Sequence, residues 1–371
     1  MKIILFYHSL LSDWNHGNAH FLRGIATELI LRGNEVEIYE SENAWSLSNL
    51  VKEHGVGALQ DFYNYYPLLK SIQYNLNSID LEKVLKGADL VIVHEWNEHR
   101  LVKCVGEKRS TMKFKLLFHD THHRSVTESE SMKSYDLSAY DGVLAYGDVI
   151  RDIYLKEGWA KHAWTWHEAA DTRVFKPMSA GNYEGDLVWI GNWGDEERTK
   201  ELLEFIIKPV KELKLKAKIY GVRYPPHALK ALADAGIEYG GWLPNFKAPE
   251  VFAKYRFTVH VPRGPYVRFL PGIPTIRPFE ALACAIPLLS SPWKDQEHLF
   301  TPGKDFIMAQ NGEEMKMWMQ KIISDDALAA DMMANGLKTI WRNHTCSHRV
   351  DELYTICEQL GIKKRSKQIQ L

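Results

Sequence analysis

Cysteine is scarce in this 371-residue chain, and long apolar runs are missing. The four cysteines, Cys104, Cys284, Cys346 and Cys357, show no C-x-x-C spacing. That argues against a disulfide scaffold or a cysteine-built zinc site, and predicts buried free thiols in a reducing cytoplasm. The longest unbroken apolar run, 281–289, falls well short of the ~20 residues that span a bilayer. The start, Met1-Lys2-Ile3-Ile4-Leu5-Phe6-Tyr7-His8, has too short an apolar stretch for a signal peptide and reads as a first strand. Excess charge of one sign is missing too, with Lys plus Arg at 46 against Asp plus Glu at 47. Duplex-binding proteins usually carry a basic excess, so no nucleic-acid partner is expected. Neither half has a Gly-rich turn followed by an acidic residue about 20 positions on, which argues against a nicotinamide oxidoreductase.

What is present is ordinary globular material, 45% hydrophobic and 25% charged, enough for two cores of about 150–190 residues each. In the first half, apolar runs at 3–7, 36–39, 89–94, 115–119, 142–145 and 163–166 alternate with helical spacing such as Phe21, Leu22, Ile25, Leu29 and Ile30. Strands alternating with helices predict a mostly parallel, doubly wound α/β sheet. Residues 171–185 have linker composition, with Pro177, Ser179, Gly181, Asn182 and Gly185. The pattern then restarts, with strands at 186–190, 216–220, 237–239, 257–261, 286–289 and 306–309. Helices are expected at 196–213, 228–235, 277–284 and from about 313 onward. The predicted organisation is a first Rossmann-like domain at 1–175, a second at 176–345, a C-terminal helix at 346–362 and a basic tail at 363–371. Ligands of such sheets sit at the carboxyl ends of the strands, so the loops there are where function is sought.

The strongest local signal lies at 270–290. A Gly/Pro loop ends at Thr275, a good helix N-cap, and Pro278 falls in the first helical turn, where its missing N–H costs little. The free backbone N–H groups at Thr275, Ile276 and Arg277, with the helix dipole, make a seat for a diphosphate. Arg277 adds a forked cation. Glu280, one turn on, has the chemistry to accept both ribose hydroxyls, or simply pairs with Arg277 on the helix surface. Phe279-Glu280-Ala281-Leu282-Ala283-Cys284-Ala285-Ile286-Pro287-Leu288-Leu289 resembles the signature helix and strand of retaining-type GT-B glycosyltransferases. Arg277 ahead of Phe279-Glu280, with His344-Thr345-Cys346-Ser347-His348-Arg349 and Asp351-Glu352-Leu353, resembles their spore-maturation (CgeB-like) branch. The resemblance covers essentially the whole chain.

It implies two Rossmann-like domains facing a cleft, with C-terminal helices packing back toward the first domain. It also implies a nucleoside diphosphate-sugar donor, Glu280 on its ribose and backbone amides on its diphosphate. The second acidic residue of the family pattern is here Gly272. In Trp189-Ile190-Gly191-Asn192-Trp193-Gly194-Asp195-Glu196-Glu197-Arg198 a strand ends at a glycine and a helix is expected near Asp195. The family uses an arginine and a lysine in this loop. Asn192 stands at the first position and Arg198 near the second, so Arg198 becomes the leaving-group cation. Its plain alternative is a surface pair with Glu201 or Glu204. Gly240-Gly241-Trp242-Leu243-Pro244 resembles the loop that reads the base, and Arg263 or Arg268 adds phosphate charge. Gly17 matches the family glycine after the first strand.

Phe118-His119-Asp120-Thr121-His122-His123-Arg124 closes a central strand of the first domain, after Val93-His94-Glu95-Trp96-Asn97 closes its neighbour. Its adjacent histidines suit a metal poorly. The resemblance implies a histidine facing the donor, hence His119 as catalytic with Asp120, His122 and Arg124 on the acceptor side. An unperturbed imidazole titrates near 6.5, so near neutral pH His119 is expected to accept a proton or donate a hydrogen bond. The aromatic stretch 62–66 is read as core or as a sugar platform. No D-x-D motif occurs, so transfer from a UDP- or GDP-sugar without metal or other cofactor is expected. The acceptor would be a glycan, lipid or small molecule, and the setting cytoplasmic. The alternatives are a nucleotide-sugar epimerase of the same fold and a non-catalytic nucleotide-sugar binding protein.

Overall fold

The computed structural model describes residues 1–179 and 181–362; the basic tail assigned to 363–371 lies outside the described residues. Contacts divide the chain into two units. The first takes in Met1–Ser12, Leu22–His167 and the chain from Cys346 onward; the second takes in Asp13–Phe21 and Glu168–Thr345.

In the first unit seven strands form one parallel sheet: β1 (Lys2–Phe6), β2 (Glu35–Ser41), β3 (Ser71–Tyr74), β4 (Leu90–His94), β5 (Lys115–Asp120), β6 (Gly142–Ala145) and β7 (Ala163–Thr165). Their spatial order is β3-β2-β1-β4-β5-β6-β7. The central strands are covered on both faces, which is why they read as unbroken apolar runs; Ile3, Ile4, Leu5 and Phe6 are all fully buried. Strand β3 carries no such run. It is an edge strand paired only to β2, with Ile72 exposed, and apolar periodicity does not reveal it. In the 62–66 stretch Phe62 and Tyr66 are core and Tyr63 is exposed. The final helix, Cys346–Gln359, belongs to this unit, where Trp166 Nε1 donates to the Arg349 carbonyl at 2.8 Å.

The second unit holds six parallel strands: β8 (Gly185–Ile190), β9 (Ala217–Tyr220), β10 (Glu238–Tyr239), β11 (Tyr255–His260), β12 (Leu288–Ser290) and β13 (Ile307–Met308). The order is β10-β9-β8-β11-β12-β13. Leu187, Trp189, Phe257, Val259 and Leu289 meet Phe205, Ile206, Met315 and Met319 in its core. The helix expected over 196–213 is broken into three parts. Thr199–Leu202 is α-helical, Leu203–Ile207 is π-helical, and Lys208–Leu213 is α-helical again. Pro209 lacks the N–H that would continue the ladder, and the π segment lies just before it.

Both sheets reverse their order after the first strand, between β1 and β4 and between β8 and β11. Ligands of open parallel sheets bind outside the carboxyl ends at such reversals. Among the described residues no helix is long and apolar enough to cross a membrane.

Candidate functional site

In the second unit the chain leaves β8 through Gly191. A Cβ there would sit 2.9 Å from the Trp189 ring, so only glycine fits without movement. Asn192 follows, with both ends of its carboxamide engaged. Nδ2 donates to Asn15 Oδ1 at 2.6 Å, and Oδ1 accepts from the Val222 N–H at 2.8 Å. Residues Asp195 and Glu196 have φ of 50° and 65°, which postpones the helix from Asp195 to Thr199.

Arg198 caps that helix from outside. Its Nη1 donates to the Val261 carbonyl at 2.6 Å, Nη2 donates to the Asn192 carbonyl, and the guanidinium lies 5.0 Å from the Trp189 ring centroid. Among the described residues no carboxylate comes within ion-pair distance of it, and its Nε is buried without a hydrogen-bond partner. Burial, then the nearby charges of Arg263 and Arg277, push its pKa down to about 10. It remains charged at neutral pH, in a place where a further anion would be welcome. Arg263 follows β11 and pairs with Glu197 at 2.5 Å and Asp195 at 3.6 Å. Neighbouring His260 is driven down to about 3 by burial and by Arg198 and Arg277, so it is neutral.

Arg277 and Glu280 lie on the helix Ile276–Ala283. Thr275 does not cap it by its side chain: its backbone has φ 64° and ψ 177°, and no side-chain cap bond forms. The first-turn N–H groups are therefore not taken by Thr275. Glu280 is fully buried, not on the surface, and three side chains hold it. Oε1 faces His20 Nδ1 at 3.1 Å and accepts from Asn245 Nδ2 at 2.6 Å; Oε2 accepts from Arg277. Burial raises its pKa, but Arg277, His20 and Asn245 outweigh it and hold the carboxyl below its usual value. His20 Nε2 accepts from the Asp171 N–H at 2.7 Å, which leaves the ring proton on Nδ1 for Glu280. Gly17 packs against Ile276, and Trp242 Nε1 donates to Asp13 Oδ1 at 3.0 Å. Leu243 is half-buried beside Trp242.

In the first unit His119 lies within β5, opposite His94 of β4. It is 1% exposed, with the Trp166 ring at 4.9 Å and the His94 ring at 5.3 Å. Burial lowers its pKa to about 3. The proton-accepting half of the expectation is thus corrected, because a buried imidazole resists charging; a neutral ring can still donate a hydrogen bond. Asp120 points away, as strand alternation requires. Its Oδ1 accepts from the His122 N–H at 3.1 Å and its Oδ2 from the Tyr154 hydroxyl at 2.9 Å. Burial raises its pKa to about 6. Glu95 is also fully buried, with a pKa raised by burial and by Asp120; it accepts from the Thr121 N–H at 3.1 Å and lies 3.8 Å from Arg124. Arg124 sits 4.5 Å from the Trp96 ring centroid, and the His122 ring is 5.0 Å from the same ring. His8, after β1, is lowered to about 4 by burial and then by Arg124.

Residues 198–355 match a family model described as glycosyl transferase-like. No curated protein matches the chain by sequence. Among solved structures, a sucrose-phosphate synthase from Thermosynechococcus elongatus is similar at a TM-score of 0.64 and 12% identity, covering 97% of this chain and 99% of that one. HepE of Anabaena, solved with UDP-glucose, gives 0.67 and 12%, covering 97% and 100%. An alpha-glucosyltransferase solved with UDP and a 13-mer DNA containing an HMU base gives 0.70 and 14%, covering 96% and 99%. The fold is GT-B.

Within this GT-B fold the second unit brings together Gly17, Gly191, Asn192, Arg198, Arg263, Arg277 and Glu280, although they come from distant parts of the chain. His119, Asp120, His122 and Arg124 gather in the first unit. Sequence reasoning missed His20 and Asn245, which hold Glu280, and assigned no role to Glu95 or His8. Glu95 was detectable as the residue after a buried strand, next to the His119 strand. His20 and Asn245 had no local signal, because their partner is far away in the chain.

Proposed function

We propose that this protein transfers a sugar from a nucleoside diphosphate-sugar, UDP- or GDP-linked, to a glycan, lipid or small-molecule acceptor. The observation that carries this reading is Arg198. It is a charged, largely enclosed guanidinium with no carboxylate partner among the described residues, within electrostatic reach of Arg263 and of Arg277, which lies in the first turn of the helix Ile276–Ala283. Such an arrangement suits a diphosphate, whose negative charge grows as the glycosidic bond breaks. Arg198 then stabilises the leaving group, while Arg263, Arg277 and the amides at Thr275 and Ile276 seat the phosphates. Glu280, kept ionised, accepts from the ribose. Side-chain cations thus take the place of a metal ion. His119 acts on the transferring sugar as a neutral hydrogen-bonding group, and Asp120, His122 and Arg124 line the acceptor side. UDP in the HepE and alpha-glucosyltransferase complexes supports UDP as the first donor nucleotide to try. The nearly balanced charge of this chain does not favour DNA as its acceptor. The Arg277-Pro278-Phe279-Glu280 run supports a place in the spore-maturation branch.

The test is thermal unfolding with UDP and GDP, with and without a chelator. Saturation at about 100 times Kd adds ~2.7 kcal/mol, so the melting temperature should rise, and equally in chelator. No rise with any nucleoside diphosphate would overturn the reading. A rise abolished by chelator and restored by a divalent ion would overturn its metal-free part.

A further inference from the structure

The contacts of Glu280 leave it less free than a ribose-binding carboxylate needs to be. A carboxylate oxygen can accept about two hydrogen bonds. Oε1 already has two partners, His20 Nδ1 at 3.1 Å and Asn245 Nδ2 at 2.6 Å, and Oε2 has Arg277. One acceptor position remains, on Oε2, whereas a ribose presents two adjacent hydroxyls. The missing second acceptor is on Asn245. Glu280 is held ionised and can only accept, so the amide end facing it must be Nδ2, which fixes the opposite end as Oδ1. Asn245 is only 8% exposed, its backbone N–H donates to Asp13 Oδ2 at 3.0 Å, and its Oδ1 is buried without a hydrogen-bond partner among the described residues. A buried acceptor left unmade is costly and is rarely kept without a use. All these residues, Asp13 and His20 included, lie in the second unit.

We infer that Asn245 is a specificity-determining residue, whose Oδ1 accepts a hydrogen bond from one hydroxyl of the donor ribose while Glu280 Oε2 accepts from the other. This rests on the reading that the second unit binds a nucleoside diphosphate. His20 supports the arrangement from behind: Phe175 stacks on its ring at 3.7 Å and the Asp171 N–H pins its Nε2.

The experiment is calorimetric titration of the full chain and of Asn245→Ala with UDP, 2′-deoxy-UDP, 3′-deoxy-UDP and N3-methyl-UDP. A neutral hydrogen bond is worth about 3- to 10-fold in affinity. The wild type should lose about that factor for each deoxy analogue. In Asn245→Ala the penalty for one of the two should vanish, and which one names the hydroxyl. If Asn245 only steadied Glu280, the variant would weaken every nucleotide alike and keep both ratios, which overturns the inference. It is equally overturned if the factor that vanishes in the variant is that for N3-methyl-UDP, which would assign Oδ1 to the base. Should the variant fail to fold, equal wild-type affinity for UDP and both deoxy analogues overturns the inference by itself. Absence of any UDP binding would instead remove the functional reading on which it stands.

Discussion

At the strand ends of the first unit two buried carboxylates, Glu95 and Asp120, share one arginine, Arg124. In the second, Arg198, Arg263 and Arg277 gather near the fully buried Glu280, and burial together with Glu280 raises the pKa of a second buried carboxyl, Glu168. Burial is similar in both places, but the second holds three arginines to the first's one. The first cluster therefore raises both carboxyls, Asp120 to about 6, and leaves His119 neutral. The second keeps Glu280 ionised and leaves Arg198 with only carbonyls and a ring as partners among the described residues. Similar desolvation thus leaves the carboxyls of one unit raised and Glu280 of the other lowered, because the charges nearby decide whether the penalty of burial is offset.

Removing Arg198 should break this contrast most severely. Arg198→Ala is expected to lower kcat by about 100- to 1,000-fold, the scale for one preorganised stabilising group, with a smaller change in donor affinity. Steady-state kinetics checks it, and a change in KM alone would mean that the arginine acts on the ground state. His119→Ala should cost about 100-fold in turnover, again the scale of one preorganised donor, and leave nucleotide binding intact. Its loss should not alter the shape of the pH–rate profile between about pH 6 and 8, since a group lowered to about 3 stays neutral there. A profile that loses a limb in His119→Ala would restore the proton-transfer role.

The smallest effect is on stability against pH. Asp120 is raised to about 6, so its contribution is complete below the unfolded carboxyl value and is lost as pH rises through about 6. A shift of that size is on the order of 2–3 kcal/mol. Asp120→Asn should therefore gain stability relative to the wild type between about pH 4 and pH 7. Glu280 is lowered, so its contribution is present above the usual carboxyl range and is lost as pH falls below it. Glu280→Gln should flatten the acid side instead. Unfolding curves at a series of pH values decide the matter; parallel behaviour of the two variants would dissolve the comparison.

Most of the scaffold is legible in the sequence, because buried parallel strands must be apolar on both faces. Residues 142–145, for example, are the strand Gly142–Ala145. Edge strand β3 and the π turn before Pro209 are not legible there. One buries too little to need an apolar run; for the other, Pro209 announces a break in the helix but not the π form that the break takes. The Gly/Pro loop before Glu280 marks the candidate site because phosphate-binding helix ends have a local grammar of loop, helix start and charge.

By itself, then, the sequence determined two strand–helix sheets, the near-balance of charge and the Arg277-Pro278-Phe279-Glu280 helix, all of which depend on residue types or on neighbours in the chain. Tertiary structure alone decided the protonation states and the company that Glu280 keeps. His20 lies 260 positions from it, Asn245 lies 35 positions from it on a separate turn, and the pKa of His119 follows from burial. Burial and long-range pairing are properties of the folded packing, so no window along the chain could contain them.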